Sequence, residues 1–228
     1  MCGRFALFSN VTEILAHADA LAENTNWAPR YNISPGTLTL GIRNTGNRKE
    51  LSLLKWGYTT PKSTSGTENK QIFIINTRME TIESKKSFKL EQRCLIPANG
   101  FYEWQRETKQ PYYFSLIDEE LFFFGATCNY FPQATPEEEM NRFSIITTAA
   151  NDLVAPVHHR MPVIISVSDI DLWFNEPDIK AILEQMSPYP ANKMKAIPVS
   201  NRVNVAKNDD SSLIELYKIG GGQTLIEF

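Results

Sequence analysis

Four polar residues stand inside or at the ends of strongly apolar segments, and their types suit the chemistry of a carbonyl group: Cys2, Asn76, Glu103 and His158. Cys2 follows Met1 and precedes Phe5-Ala6-Leu7-Phe8, which reads as the start of a core strand. Methionine removal is favoured before a small residue, and it would leave an α-amine and a thiol on adjacent carbons. Such a 1,2-aminothiol condenses with an aldehyde to an imine and then closes to a thiazolidine. An α-amine with a pKa of about 8 is partly neutral at neutral pH, as that condensation requires. Asn76 ends the apolar run Ile72-Phe73-Ile74-Ile75. Glu103 lies between Phe101-Tyr102 and Trp104, where desolvation would raise a carboxyl toward the acid–base range. His158 opens His158-His159-Arg160-Met161-Pro162; if this stretch is a strand, the two histidines face opposite ways. Arg4, Arg78, Lys86 and Arg160 lie close in sequence to the four and together would make a basic rim suited to phosphates. Each residue also has an ordinary reading: a solvent-facing glutamate, a strand-end cap, a backbone-bonded histidine, solvated surface cations.

The rest of the composition narrows the classes. The 228 residues are 42% hydrophobic and 21% charged, ordinary for a globular protein, and no 18-residue apolar run predicts a membrane span. The opening is too short and too mixed for a signal peptide, and three widely spaced cysteines suggest a reducing cytosol, so a cytoplasmic setting, nucleoid-associated when acting, is expected. Cys2, Cys94 and Cys128 are odd in number and widely spaced, which fits neither a disulfide framework nor a metal site. No phosphate loop, metalloprotease helix or nucleophile elbow is present, and no cofactor or metal is expected. The net charge of −3 argues against broad nucleic-acid binding but permits a local basic cleft, because acids cluster at Asp118-Glu119-Glu120 and Glu137-Glu138-Glu139.

The elements that must position these residues follow from periodicity. Asn10 and Glu13 have capping-box spacing before a helix to about residue 23. Arg30 to Gly36 is expected as an ordered loop, with a turn at Pro35-Gly36. Strands are expected at 38–42, 51–56, 72–75, 143–148, 163–166 and 195–199, and a hairpin at 112–116 and 121–126. Residues 59–70 read as a long polar loop, 80–90 as a short helix, and helices open near Ser168 and Pro177. Without repeats or an interdomain linker, the chain reads as a single α+β domain over 1–228. Its expected core is a twisted, barrel-like, mostly antiparallel sheet with peripheral helices, and 216–228 is a loosely attached tail.

As a set, Met1-Cys2-Gly3-Arg4-Phe5, Arg30 to Gly36, Trp56-Gly57, Asn76-Thr77-Arg78, Gly100 to Trp104, His158 to Pro162 and Val199-Ser200 resemble the SRAP family of SOS-response-associated peptidases, or abasic-site processing proteins. The resemblance runs in order from residue 2 to about 215. It implies one domain around a barrel-like core with a basic groove for single-stranded or junction DNA, acting as a monomer without a membrane. It also implies a thiazolidine between processed Cys2 and the ring-opened sugar of an abasic site, shielding the lesion in the DNA damage response. By motif match Cys2 is the crosslinking nucleophile and Asn76 orients the terminus or sugar. Glu103 donates and accepts protons, and His158 shuttles them at the sugar hydroxyl. Arg4, Arg78, Lys86 and Arg160 would contact phosphates, while Pro35 and Trp104 would support bases. Two features depart from the family pattern: 59–71 has no aromatic residue, and His159 stands where an acid often follows the motif histidine. The competing readings are an N-terminal-nucleophile cysteine hydrolase, self-processing peptidase included, and a non-covalent DNA-binding module.

Overall fold

The computed structural model describes residues 2–22, 25–46, 48–59, 73–82, 93–118, 121–129, 141–186 and 188–218. Two antiparallel systems share the core. The first is a five-stranded sheet in the order Met194–Pro198, Pro111–Leu116, Gly100–Trp104, Arg4–Leu7, Arg30–Ile33. The second is a ring: Leu38–Asn44 pairs with Lys49–Trp56 and with Arg93–Ala98, Arg93–Ala98 with Phe122–Asn129, and Phe122–Asn129 with Arg142–Ala149. A parallel pairing of Arg142 with Lys55 and of Phe143 with Trp56 closes it. Closure removes most of the free sheet edge, which is the barrel-like geometry expected from many short apolar strands. The three short strands Asn76–Arg78, Arg160–Pro162 and Ile164–Ile165 attach to this ring. Aromatic side chains fill the space between the two systems. Phe5 lies 5.2 Å from Trp56 and 5.5 Å, edge-on, from Phe124, and Phe101 stacks on Phe114 at 5.1 Å.

The two systems are joined at Asn99, between Arg93–Ala98 in the ring and Gly100–Trp104 in the five-stranded sheet. The buried Asn99 amide accepts from the backbone N–H groups of Phe8 (2.7 Å) and Ser9 (3.0 Å) and donates to Ser9 Oγ (2.9 Å). Gly100 is required there by close approach: a Cβ would lie 2.2 Å from Tyr113 Cζ and 2.6 Å from the Phe114 carbonyl oxygen. Pro35 and Gly36 make the expected turn. Gly36 takes φ +86°, which suits the third residue of a type II turn, and Thr37 N–H donates to Ser34 O at 3.2 Å.

Several local expectations are corrected. The first helix covers only Val11–Ala18, because Asp19 turns left-handed (φ 47°) and Ala20–Leu21 runs beside Lys49–Glu50. Sheet pairing there replaces another helical turn. Arg30–Ile33 is an edge strand on Arg4–Leu7 rather than a loop, pinned by the Asp209 carboxylate, which accepts from Arg30, Tyr31 N–H and Asn32 N–H. The segments 111–116 and 122–129 do not form a hairpin. Leu116 pairs with Met194 in one system and Phe122 with Ala98 in the other. Both are central strands, so both read as continuously apolar and nothing local tells them apart. At 79–81 there is a 3₁₀ turn, and the rest of the expected 80–90 helix, the 59–70 loop and most of the tail lie outside the described residues. No helix among the described residues is long and apolar enough to cross a membrane.

Candidate active site

Alternation along Gly100–Trp104 turns Phe101 and Glu103 inward, while Tyr102 and Trp104 join a second apolar cluster with Tyr113, Val199, Val203 and Leu213. Glu103 is thereby carried into the core and is 2% exposed. Asn76–Arg78 runs parallel to Ile145–Thr147, with Thr77 buried against Ser144 through a 2.7 Å hydroxyl pair. Asn76 then faces the opening strand, and its Nδ2 donates to the Cys2 carbonyl at 2.8 Å. Its Oδ1 is buried and accepts no hydrogen bond among the described residues. His158 is set by a compact turn in which Asn151 Oδ1 accepts from Val154 N–H (3.0 Å) and His158 N–H donates to Val154 O (2.9 Å). Its Nδ1 lies 4.0 Å from Glu103 Oε1, too far for a direct hydrogen bond but close enough for a shared proton path through substrate.

The electrostatics give each group a definite state. Burial pushes Glu103 up to about 7, against the pull of the positive amino terminus and the Trp104 backbone N–H. Both protonation states are therefore populated at neutral pH, which suits a group that must give and take protons. Burial and the amino-terminal charge push His158 down to about 4, so its ring is neutral. His158 Nδ1 lies 3.0 Å from Arg160 N and 3.1 Å from Arg160 O, so the Arg160 backbone fixes the orientation of the ring. The Cys2 thiol is fully buried; burial first and then the Glu103 carboxylate raise it far above its ordinary value. The thiol is neutral, with its Sγ directed to Arg4 O at 3.8 Å.

The structure thus brings Cys2, Asn76, Glu103 and His158 together. The anticipated DNA-contacting residues have more varied placements. Arg78 is exposed, and its guanidinium makes no hydrogen bond or ion pair among the described residues. Arg4 is half-buried, its Nη1 donating to Asn32 Oδ1 (2.8 Å) and Val203 O (3.0 Å). Pro35 is half-buried in its turn, and Trp104 donates from Nε1 to Asn204 Oδ1 at 2.7 Å. Lys86 lies outside the described residues. Arg160 is buried: it grips Glu80 with both terminal nitrogens (2.5 and 3.0 Å) and donates to Thr147 O at 2.5 Å. Its guanidinium is turned into the protein, onto Glu80 and Thr147. His158 and His159 are not on opposite faces either. They sit on a bend ahead of Arg160–Pro162, with ring centroids 4.5 Å apart.

Arg160→Met keeps the apolar stem and removes the grip on Glu80 and Thr147. We expect a loss of about 2 kcal/mol in stability, below the range for a fully buried pair because the half-exposed Glu80 can hydrate. Thermal unfolding would show a lowered Tm, and an unchanged Tm would contradict a stabilising grip on Glu80 and Thr147.

A fold of this topology with a cysteine at position 2 beside a buried acid and a neutral histidine defines a class, and sequence comparison names it. A family model for the SOS response associated peptidases (SRAP) matches residues 1–206, and the chain belongs to this family. Among individual relatives, the abasic site processing protein YoqW of Bacillus subtilis is 37% identical, covering 94% of this chain and 99% of its own length. The abasic site processing protein YedK of Escherichia coli is 29% identical over the same shares. A crystal structure of a protein from Bacteroides thetaiotaomicron superposes with a TM-score of 0.78 at 23% identity, covering 95% of this chain and 100% of that one, which shows the fold.

Proposed function

We propose that this protein processes abasic sites in single-stranded DNA by forming a thiazolidine crosslink through Cys2 after loss of Met1. The observation that carries the reading is the grouping at the chain start: Asn76 on the Cys2 carbonyl, Glu103 poised near neutrality, and the neutral His158 ring 4.0 Å from it. An abasic sugar is mostly a closed hemiacetal. Glu103 takes the hemiacetal hydroxyl proton and returns one to the ring oxygen, and His158 serves the freed hydroxyl; the aldehyde is then exposed. The Cys2 amine adds to that aldehyde, and loss of water gives an imine. The thiol adds across the imine carbon while its proton passes to the nitrogen, closing the ring. The net change is one water lost, with one C–N and one C–S bond formed.

The names of the relatives support abasic DNA as the substrate. The state of the thiol favours this chemistry over the cysteine-hydrolase reading. A hydrolase nucleophile is a thiolate with a lowered pKa, whereas burial and Glu103 raise Cys2. In the thiazolidine route the amine attacks first and a neutral thiol suffices. Arg4, Arg78, Pro35 and Trp104 are offered as the contacts that hold the strand, and a lesion already unpaired avoids the cost of extrusion from a duplex.

The test is incubation of the purified protein with a single-stranded oligonucleotide carrying one abasic site, followed by heat denaturation and electrophoresis. The expected result is a heat-stable protein–DNA band from the chain that has lost Met1 and none from the chain that retains it. DNA held only until denaturation would overturn the crosslinking step.

A further inference from the structure

Beside His158 lies a positive patch of which the strand contacts proposed above use only Arg78. Arg106 projects from the turn between Gly100–Trp104 and Pro111–Leu116, and its Nη2 lies 2.8 Å from His159 Nδ1. The turn is well fixed: Gln105 N–H donates to Gln110 O (2.9 Å), Lys109 N–H to Gln105 O (2.9 Å), and Lys109 takes φ 61°. Arg106 and His159 are both exposed, and among the described residues Arg106 has no carboxylate partner, the neighbouring Glu107 included. The charges that bear on His159 are all positive: Arg106, the amino terminus, Arg160 and Arg78. Arg160 is paired with Glu80, whose carboxylate also feels Arg78, and the adjoining His158 ring is neutral; Arg106 has no ion-pair partner among the described residues.

We infer that His159, Arg106 and Arg78 form a phosphodiester-binding site at the mouth of the Cys2 site, and that DNA binding there is accompanied by proton uptake on His159. Without an anion, the neutral imidazole accepts from Arg106 and parks the guanidinium beside the mouth. A phosphodiester oxygen placed among the three draws Arg106 away, and its charge favours the imidazolium. The ring then turns from an acceptor into a further donor to the same phosphate. An acid at position 159 would repel that phosphate, so the histidine makes this chain's rim a binding surface that tightens as pH falls. The inference rests on the DNA reading proposed above.

Fluorescence anisotropy with a short single-stranded oligonucleotide bearing a tetrahydrofuran abasic analogue, which has no aldehyde, tests it. Arg106→Gln should reduce the slope of log K against log salt by about 0.7, one phosphate contact on a single strand. The wild type should bind about five- to tenfold tighter at pH ~5.5 than at pH ~8, and His159→Gln should lose most of that gain. Glu103 also titrates in this range, but equally in both proteins, and His158 is silent because its pKa is about 4. Wild-type salt slopes in Arg106→Gln and wild-type pH dependence in His159→Gln would overturn the inference alone, provided the wild type still crosslinks natural abasic DNA. A wild type that neither binds nor crosslinks would overturn the DNA reading and this site with it.

Discussion

Cys2→Ala should form no heat-stable adduct with abasic single-stranded DNA, yet it should still break some of that DNA. Alanine is as small as cysteine at this position, so Met1 is still removed and the α-amine remains. The amine forms the imine, but without a thiol no ring closes over it. An imine next to an acidic C–H is the intermediate of β-elimination, so strand scission should rise above that given by the wild type. The loss of adduct should be complete within detection, because no neighbouring group can replace the sulfur: Cys94 and Cys128 are buried in the ring of strands. Denaturing electrophoresis of labelled DNA reads both products in one lane. Adduct formation by Cys2→Ala at the wild-type level would remove Cys2 from the chemistry.

Glu103→Gln should slow crosslinking by about 10²- to 10⁴-fold, the usual effect of removing a positioned general acid–base group. The wild-type advantage should shrink as pH rises through about 7, where the ionised carboxylate can no longer donate. The same substitution should make the protein more stable. Burial raises the folded-state value of Glu103 from 4.5 to about 7, so between these values the folded state binds the extra proton. Stability from this group is complete below about pH 4.5 and is lost as pH rises through about 7; at neutral pH and above, the buried carboxylate costs about 3 kcal/mol at most. Glutamine has no such cost, so Tm should rise near neutral pH and converge with the wild type in acid. A slower reaction in a more stable protein is the mark of a functional strain rather than a packing role.

Much of the site was legible in the chain because its four residues interrupt apolar runs. A polar side chain beside or within an apolar run must be satisfied by something, and Asn76 and Glu103 stand out on that ground, each with an ordinary strand reading beside the functional one. The barrel-like core was legible for a similar reason, since short apolar strands with little free edge must close on themselves. What was not legible depends on contacts between distant segments. Arg160 looked like a surface cation; that it is consumed by Glu80, 80 residues away, requires the pairing of Arg160–Pro162 with Arg142–Ala149. Strand alternation places the two histidines on opposite faces, but a bend lets their rings lie side by side. Arg106 carried no local signal at all, being one charge in a polar turn until topology brings His159 to it. The apparent hairpin at 112–126 failed because two central strands of different sheets carry the same apolar pattern.

The central claim is that one residue, Cys2, supplies both atoms that bond to the sugar. Intact-mass spectrometry of the adduct, followed by digestion and thiol alkylation of the amino-terminal peptide, tests it most directly. The account predicts a mass equal to the chain without Met1 plus the DNA minus one water, with Cys2 attached to the sugar and its sulfur closed to alkylation. An adduct on a chain that retains Met1, or one whose Cys2 sulfur alkylates freely, would contradict it.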